Sequence, residues 1–225
     1  MKKILIVAAH PDDEILGCGG TISRLVNEGV KAYTLILGEG ITSRDENRNR
    51  DKRKEEIEEL KQQIEKANEL IGVSKIFSFD FPDNRFDSTP LLDIVKKIEE
   101  IKKQVKPDIV FTHFKNDPNI DHKKTYEAVI TATRPIEDET VKTIYSFEVL
   151  SSTEWNYPTT FSPNVFFDIT KIIDKKIEAM KCYKNELHSF PHSRSIKSIR
   201  LNAKLGGSKI GTSYAEGFQL IRTIN

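Results

Sequence analysis

The sequence predicts a doubly wound α/β fold, in which a mostly parallel sheet lies between two layers of helices. Three observations lead to this prediction: short apolar strands, amphipathic helical segments that alternate with them, and polar loops at the strand ends. Strands that are apolar throughout are typical of parallel sheets, because helices bury both faces of such a sheet. A length of 225 residues suffices for one domain with a substantial core, so residues 1–225 are expected to form a single domain.

Strand and helix patterns alternate regularly from the first strand to about residue 133. Four short apolar runs predict strands at residues 4–9, 32–37, 76–79 and 109–112. Apolar residues that recur every three or four positions predict helices at residues 15–26, 52–71, 90–105 and 123–133. Thr89 and Pro90 are expected to cap and open the third helix, because these are favoured positions for threonine and proline.

The last third of the chain has a less regular pattern. Strands are predicted at residues 143–150 and 164–169. Thr170 is expected to cap a helix whose apolar residues extend to Leu187, and a shorter helix near residues 195–205 is expected to end at two glycines. No repeat, low-complexity tract or linker interrupts the sequence, which favours one domain.

Composition argues against several classes of protein. Lys and Arg (35) nearly balance Asp and Glu (34), and a net charge of +1 does not favour nucleic acid as a partner. No stretch approaches the about 18 apolar residues of a membrane span. The two cysteines, Cys18 and Cys182, are too few for a disulfide scaffold. A cytoplasmic protein that binds a small molecule is therefore expected, and a homo-oligomer is compatible with the sequence.

Two polar clusters follow predicted strands at the edge of the sheet where α/β proteins bind ligands. Residues 10–14 come directly after the first strand, and residues 117–122 come shortly after the fourth. Ligands of open α/β sheets lie in the crevice outside the carboxyl ends of the strands. Both clusters are therefore expected to face one crevice, and this convergence predicts a functional site.

His10, Asp13 and His122 form the predicted metal site within these clusters. Two imidazoles and one carboxylate are a ligand set for catalytic Zn²⁺, which keeps a further position for water, although such a set also suits iron. Asp12 then lies beside the metal, where a carboxylate can take a proton from water during attack on an amide. A simpler alternative is that Asp12 or Asp13 only caps the helix that follows.

Glycines at positions 17, 19 and 20 suggest a dinucleotide site, which the sequence does not support. The third glycine of a G-x-G-x-x-G motif would be Ile22, and acidic residues between the strand and the glycines would repel a pyrophosphate. These glycines are instead expected to allow close packing of the helix on the sheet.

The two clusters resemble the motifs of the PIG-L/LmbE de-N-acetylase family. The similarity rests on the segment Ala-His-Pro-Asp-Asp-Glu at 9–14 and on Thr-His…Asp-x-Asn-x-Asp-His at 112–122. The resemblance implies a Rossmann-like three-layer α/β/α fold, one zinc ion per chain, and hydrolysis of the N-acetyl group of N-acetylglucosamine-type sugar conjugates. By motif position it also implies that His10, Asp13 and His122 bind the metal and that Asp12 is the general base.

One position departs from the family pattern. Many members have a histidine where this chain has Asn119, and an aspartate that orients that histidine where it has Asp121. An asparagine amide can donate a hydrogen bond to an oxyanion but cannot deliver a proton. Asn119 and Asp121 are therefore expected to take part in catalysis, and the group that protonates the leaving amine stays open between Asp12, His113 and His192.

Substrate-binding residues are predicted from polar loops near the same edge. The resemblance implies an arginine from the loop after the second strand, for which Arg44 and Arg53 are both candidates, although a solvated surface is the simpler role. The other predicted substrate-binding residues lie in two later loops: Asn84, Arg85, His192 and Arg194. The predicted function is a zinc-dependent sugar N-deacetylase, and the alternatives are a zinc hydrolase of a non-sugar amide and a non-catalytic sugar-binding protein.

Overall fold

The sheet of the computed structural model, which describes residues 1–44 and 48–225 except for the side chain of Arg44, contains seven strands. They are β1 (Lys3–Ala8), β2 (Lys31–Gly38), β3 (Lys75–Phe81), β4 (Ile109–His113), β5 (Thr143–Phe147), β6 (Val165–Asp168) and β7 (Ala215–Thr223). Their order across the sheet is β3-β2-β1-β4-β5-β7-β6, and β1 to β5 are parallel. Strand β7 pairs antiparallel with both β5 and β6, so among the described strands it alone runs in the opposite direction.

Six α-helices in the described residues cover the two faces of the sheet. They are α1 (Asp13–Asn27), α2 (Lys54–Ile71), α3 (Leu91–Val105), α4 (Ile120–Ala132), α5 (Ile173–Met180) and α6 (Ile196–Ser208). Helices α1, α2 and α5 contribute to one apolar core, and α3 and α4 contribute to the other. The result is the predicted three-layer α/β/α arrangement.

Strand β1 explains why a continuous apolar run predicts a parallel sheet. Its residues alternate between the two cores, with Ile4 and Ile6 in one and Leu5 and Val7 in the other. Each of these side chains is almost fully buried. Because both faces of β1 are covered by helices, neither face has a place for a polar side chain.

Strand β7 is absent from the sequence-based prediction. Its nine residues mix apolar, polar and charged types, and Ala215, Glu216 and Phe218 are buried among them, so the sequence lacks the regular alternation that identifies a strand. One of its charges serves helix packing, because the Glu216 carboxylate accepts hydrogen bonds from the backbone N–H groups of Gly20 and Thr21, at 3.0 and 2.6 Å. Lys176 neutralises that carboxylate from α5, at 2.6 Å.

Several predicted helix boundaries are wrong, for local reasons. Pro90, not Thr89, occupies the N-cap of α3. Helix α4 begins three residues earlier than predicted, because Asn119 caps it. Helix α5 begins after Ile172 rather than after Thr170, and it ends before Leu187.

Helix α6 also continues further than predicted, through its two glycines to Ser208. Both glycines pack directly against the backbone that leads into β7, where a side chain would meet carbonyl oxygens of that segment. Gly206 and Gly207 therefore permit close packing instead of ending the helix.

Two of the three glycines of α1, Gly17 and Gly20, have the predicted packing role, whereas Gly19 faces Ile15 of the same helix. A Cβ atom at Gly17 would overlap the buried ring of Phe147 in β5, and one at Gly20 would press on Ile169. Helix α1 can therefore approach the sheet only because these positions lack side chains.

Substituting Gly17 with alanine is expected to lower the free energy of unfolding by about 1–3 kcal/mol, because the added methyl group overpacks the core. Gly19→Ala is the matched control on the same helix. Its Cβ would lie 3.3 Å from the flexible side chain of Ile15. Urea unfolding of both variants measures the difference, and equal stability of the two would contradict the packing role of Gly17.

No helix among the described residues combines the length and the apolar composition needed to cross a bilayer.

Candidate metal and catalytic site

A cleft opens at the carboxyl ends of the parallel strands, where the sequence predicts the site. It has a volume of about 220 Å³. Its walls come from the loop after β1, the turn after β3, the start of α4, the loop after β5 and the segment 186–194. Strands β1 and β4 are neighbours in the sheet, so the two polar clusters converge as expected.

His10, Asp13 and His122 come together at the base of this cleft. Their potential ligand atoms all lie within 4.8 Å of one another. Asp13 is central, since its Oδ2 lies 3.5 Å from His10 Nδ1 and 3.4 Å from His122 Nε2. Two imidazole nitrogens and a carboxylate oxygen at this spacing form a donor set suited to a divalent metal. The residues present therefore fit a metal site.

Two buried carboxylates orient the rings of these histidines. Asp121 Oδ2 lies 2.9 Å from His10 Nε2, which leaves His10 Nδ1 facing Asp13. Asp117 Oδ1 lies 3.1 Å from His122 Nδ1, which leaves Nε2 facing Asp13. Outer carboxylates of this kind fix ring orientation and raise the basicity of metal-binding histidines.

The position of Asp121 corrects the prediction of a catalytic role. Its carboxylate is fully buried and accepts the backbone N–H groups of Asn84 and Phe86, at 2.7 and 2.9 Å, besides the contact with His10. Asp121 therefore supports His10 and does not reach the cleft.

Asp83 stands beside the same histidine, with Oδ1 at 3.4 Å from His10 Nε2. His10, Asp83 and Asp121 also satisfy the spacing of a metal site. The second carboxylate oxygen of Asp83 is however engaged by Ser43, whose backbone N–H and hydroxyl donate to it at 3.1 and 2.6 Å. Asp83 and Asp121 therefore support His10 by contacts with its ring. Asp83 also holds the loop after β2 against the cleft through Ser43.

Asp12 directs its carboxylate into the cleft from a strained backbone conformation. Its φ of 99° lies in the region that favours glycine. The side chain makes no capping hydrogen bond to α1, which removes the alternative that Asp12 is only a helix cap. Asp13 is likewise not a cap of α1, because its Oδ2 accepts the backbone N–H of His10 at 2.8 Å.

Glu14 stabilises that conformation from behind. Its Oε2 accepts the backbone N–H of Asp12 at 3.0 Å, and its Oε1 accepts hydrogen bonds from Tyr183 and Asn68 at 2.5 and 2.9 Å. Burial raises the pKa of Glu14 to about 7, against the effect of these donors. The network is fully buried and fixes the backbone of Asp12.

Arg194 reaches the Asp12 carboxylate from the segment before α6. Its Nη1 donates to Asp12 Oδ2 at 3.0 Å and to Glu186 Oε2 at 2.6 Å. Burial and the neighbouring charge of Asp13 raise the pKa of Asp12 well above the usual aspartate range, although the guanidinium opposes this. A carboxylate with a raised pKa is a better proton acceptor than an ordinary one.

The electrostatics of Asp13 differ from those of its neighbour. Burial opposes ionisation of Asp13, but the charges of His122 and His113 outweigh it and hold its pKa well below the usual range. Asp13 is therefore a permanent anion at the centre of the ligand set, while adjacent Asp12 is the carboxylate that can exchange a proton.

Asn119 is the N-cap of α4, so it has a structural role in addition to the predicted catalytic one. Its Oδ1 accepts the backbone N–H groups of Asp121 and His122, and its Nδ2 donates to Asn84 Oδ1 at 3.0 Å. The residue lines the cleft, but both ends of its amide are engaged in the protein.

Replacing Asn119 with alanine is expected to destabilise the protein by about 1 kcal/mol, because two N–H groups at the start of α4 lose their acceptor. Asn119→Asp keeps that acceptor and serves as the control, so its free energy of unfolding should stay closer to that of the wild type. Thermal or urea unfolding measures both, and an unchanged alanine variant would contradict the capping role.

The predicted substrate-binding residues separate into two groups. Asn84 and Arg194 line the cleft, as predicted. Among the residues described, Arg53 and Arg85 do not: Arg53 pairs with Glu56 at the start of α2, and Arg85 is exposed on the turn after β3. The side chain of Arg44 lies outside the described residues.

His192 lies behind the cleft wall instead of in it. Its Nδ1 accepts the backbone N–H of Arg194 at 3.0 Å, and its ring is close to those of Trp155 and His188. His113 is also unsuited to proton delivery, because it is fully buried and its Nε2 accepts the backbone N–H of Ala9 at 2.8 Å.

Several cleft residues are not among the site residues predicted from the sequence. They come from four separate segments: Ser43, Asp83, Ser151, Ser152 and Glu186. Each is a common polar type without a motif around it. The first four follow strands β2, β3 and β5, and this position is the signal that could have found them, whereas Glu186 follows helix α5.

Comparison with known proteins gives a consistent result. The sequence profile of the GlcNAc-PI de-N-acetylase (PIG-L) family matches residues 5–133. The diacetylchitobiose deacetylase of Thermococcus kodakarensis is 27% identical over 232 residues, covering 98% of this chain and 84% of the relative. The 4-oxalmesaconate hydratase of Pseudomonas putida is 26% identical over 242 residues, covering 98% of this chain and 89% of the relative.

A solved structure shows the same fold. The N,N′-diacetylchitobiose deacetylase from Pyrococcus horikoshii superposes with a TM-score of 0.78 at 23% sequence identity, covering 98% of this chain and 84% of that one. The predicted α/β fold is therefore confirmed.

Proposed function

The chain belongs to the GlcNAc-PI de-N-acetylase (PIG-L) family, and from that premise we propose that it is a metal-dependent hydrolase that removes the N-acetyl group from an N-acetylglucosamine-type sugar conjugate. One observation carries the proposal. A complete metal ligand set and a separate carboxylate, Asp12, meet at the base of an open cleft. Amide hydrolysis needs this combination, because water must be activated and the proton must have an acceptor.

The metal in this proposal is one zinc ion, held by His10, Asp13 and His122. When bound, Zn²⁺ would polarise the amide carbonyl and lower the pKa of a nearby water molecule. Asp121 and Asp117 would keep the two histidines oriented for it, as they do through the contacts described above.

Asp12 is the residue to which we assign the proton transfers. Arg194 holds its Oδ2, and we assign Oδ1 to the proton of the attacking water. The same carboxyl group, once protonated, would deliver that proton to the leaving nitrogen. Its raised pKa supports both steps, and no histidine is needed at position 119 for them.

Asn84, Asn119 and Arg194 are the residues we assign to the sugar. The two asparagines form an amide pair on one wall, and Arg194 stands on another. Asn119 keeps a second Nδ2–H and Asn84 Oδ1 keeps a second lone pair beyond their mutual hydrogen bond, and the guanidinium of Arg194 has further N–H groups, so these side chains can bond sugar hydroxyl and carbonyl oxygens.

We also propose that residues 1–225 form a single domain and that the protein is cytoplasmic. Both cysteines are free, and free thiols support that location.

Hydration of a carbon–carbon double bond is the second candidate function, because one relative is a hydratase. The matching family profile favours the first candidate, because it is the profile of a de-N-acetylase family. The diacetylchitobiose deacetylase relative, which this chain matches over 98% of its length, supports the same choice.

An acetate-release assay tests the proposal. Zinc-loaded protein is incubated with N-acetylglucosamine, N,N′-diacetylchitobiose and further N-acetylhexosamine conjugates, and separately with 4-oxalmesaconate. Acetate from at least one sugar and no turnover of 4-oxalmesaconate is the expected result. Turnover of 4-oxalmesaconate without any acetate would replace the proposal with the second candidate.

A further inference from the structure

The size of the cleft implies that only part of a sugar conjugate is enclosed. Its volume of about 220 Å³ is below the about 300–1,000 Å³ of pockets that enclose drug-sized ligands. A single acetylated sugar ring fills such a space. Any group attached to that ring must therefore extend across the rim of the cleft, and the rim becomes part of substrate recognition.

Trp155 lies beside this rim: it is not itself a lining residue, but Ser152 and Arg194 in the adjoining segments are. Its backbone N–H donates to the carbonyl of Ser152, which lines the cleft, at 3.0 Å. On its other side, its ring lies 6.2 Å from that of His192, whose Nδ1 accepts the N–H of Arg194. The indole thus stands between two segments that both contribute cleft walls.

The turn that carries Trp155 is firmly anchored to the metal site. Thr153 donates to Asp117 Oδ2 at 2.5 Å, and Ser152 donates to the other oxygen of the same carboxylate. Asp117 is also the residue that orients His122, at 3.1 Å. The backbone of the turn that carries the indole is therefore held in a fixed position relative to the predicted metal ligand His122.

Side-chain bonds within the turn add to this order. Glu154 accepts the backbone N–H groups of Ser151 and Ser152, at 2.6 and 3.2 Å, and the Thr153 hydroxyl accepts that of Val149 at 2.8 Å. Ser151 has a φ of 70°, a conformation that needs such support in a residue other than glycine. Because the backbone of this turn is already ordered, it loses little conformational entropy when the Trp155 side chain binds a ligand.

Half of the Trp155 surface nevertheless remains in solvent, at 50% exposure. The plane of His192 is nearly perpendicular to the indole, at 82°, so the two rings do not stack face to face. A large exposed aromatic ring beside a polar cleft is typical of a binding surface. Its flat apolar face matches the C–H face of a pyranose, while sugar hydroxyls stay hydrated at the edges.

We propose that Trp155 is a stacking platform for a second sugar ring, attached to the acetylated ring in the cleft. This inference rests on the proposed function and makes it narrower, since it selects di- or oligosaccharide substrates over isolated N-acetylhexosamines. Trp155 would be a specificity-determining residue, and it would take no part in the proton transfers.

The fluorescence of the protein tests the platform directly, because Trp155 is the only tryptophan in the chain. Zinc-loaded Asp12→Asn protein, which should not consume the ligand, is titrated with N,N′-diacetylchitobiose and with N-acetylglucosamine. A saturable change in emission with the disaccharide, and a clearly smaller one with the monosaccharide, is expected. Equal or absent responses to the two sugars would overturn the proposal.

Kinetics of Trp155 variants provide the second test. Trp155→Ala should raise KM for the disaccharide about tenfold, in the range of one aromatic stacking contact, and leave KM for the monosaccharide unchanged. Trp155→Phe should recover part of the loss. Leu201→Ala is the matched control, because Leu201 is similarly exposed, at 48%, on the surface of α6.

The outcomes separate the platform from the proposed reaction. If Trp155→Ala released acetate with the wild-type KM for the disaccharide, the proposed reaction would stand and the stacking platform would be wrong. A selective emission change without acetate release from any sugar would keep the platform and overturn the reaction. An emission change with an alkyl N-acetylglucosaminide but not with the disaccharide would overturn a carbohydrate as the occupant.

Discussion

Replacing Asp12 with asparagine is expected to lower kcat by about 10²–10⁴-fold, the range that general acid–base catalysis contributes, while zinc content stays at the wild-type level. The amide keeps the shape of the side chain and an oxygen that can accept from Arg194. It cannot take a proton from water or return one to the leaving nitrogen. Asp12 is not one of the residues grouped as metal ligands, so the metal should remain.

Glu186→Gln is the matched control for this variant. Glu186 also lines the cleft and accepts a hydrogen bond from Arg194, but its carboxylate is assigned no proton. Its loss should therefore reduce kcat far less than the loss of Asp12. Acetate release and metal analysis are measured on both proteins. If Asp12→Asn retained a rate within a few-fold of the wild type, Asp12 would not be the base.

His122→Ala has the second large expected effect, on metal content as well as on rate. One of the three ligands disappears, so metal affinity should fall by more than the about 10–100-fold that the loss of an outer-shell partner costs. Asp117→Asn, which keeps all three ligands and weakens the contact that orients His122, should show the smaller loss. Metal per chain is measured by mass spectrometry after equilibration at one fixed zinc concentration.

His192→Ala controls for the loss of a histidine that is not a ligand. His192 lies outside both groups of residues with metal-site spacing, so this variant should keep its zinc. Circular dichroism of each variant shows whether the fold is retained. Normal zinc content in folded His122→Ala protein would remove His122 from the ligand set.

The parts of the site that the sequence predicts are those encoded by local patterns. His10, Asp12 and Asp13 lie within four positions directly after a strand whose apolar run is unmistakable. Their place at the carboxyl edge follows from the parallel sheet, as does the approach of His122 from the neighbouring strand. The resemblance to a known family then indicated which reaction a site of this geometry would catalyse.

Long-range hydrogen bonds account for most of what the sequence does not predict. Asp121 was expected to orient a residue at position 119, whereas it contacts His10, more than a hundred positions away. Glu14 belongs to the first motif, but its partners Asn68 and Tyr183 lie on distant helices and loops. No periodicity or spacing connects such residues.

Arg194 was predicted as a substrate-binding residue, but the prediction did not include its contacts with carboxylates of the protein. The sequence suggested an anion-binding role from its neighbours in the chain, and the structure pairs it with Asp12 and Glu186. Strand β7 was missed for a different reason. Its polar and apolar residues do not alternate regularly, although it pairs with β5 and β6 and buries Phe218 in the core.

Zinc titration of the deacetylase activity tests the central claim most directly. Metal-depleted protein is mixed with increasing zinc, and acetate release from N,N′-diacetylchitobiose is measured at each point. The structure predicts no activity without metal and a rise that saturates at about one zinc per chain, as expected for a single catalytic site. Acetate release that does not depend on zinc, or no release at any zinc concentration, would contradict it.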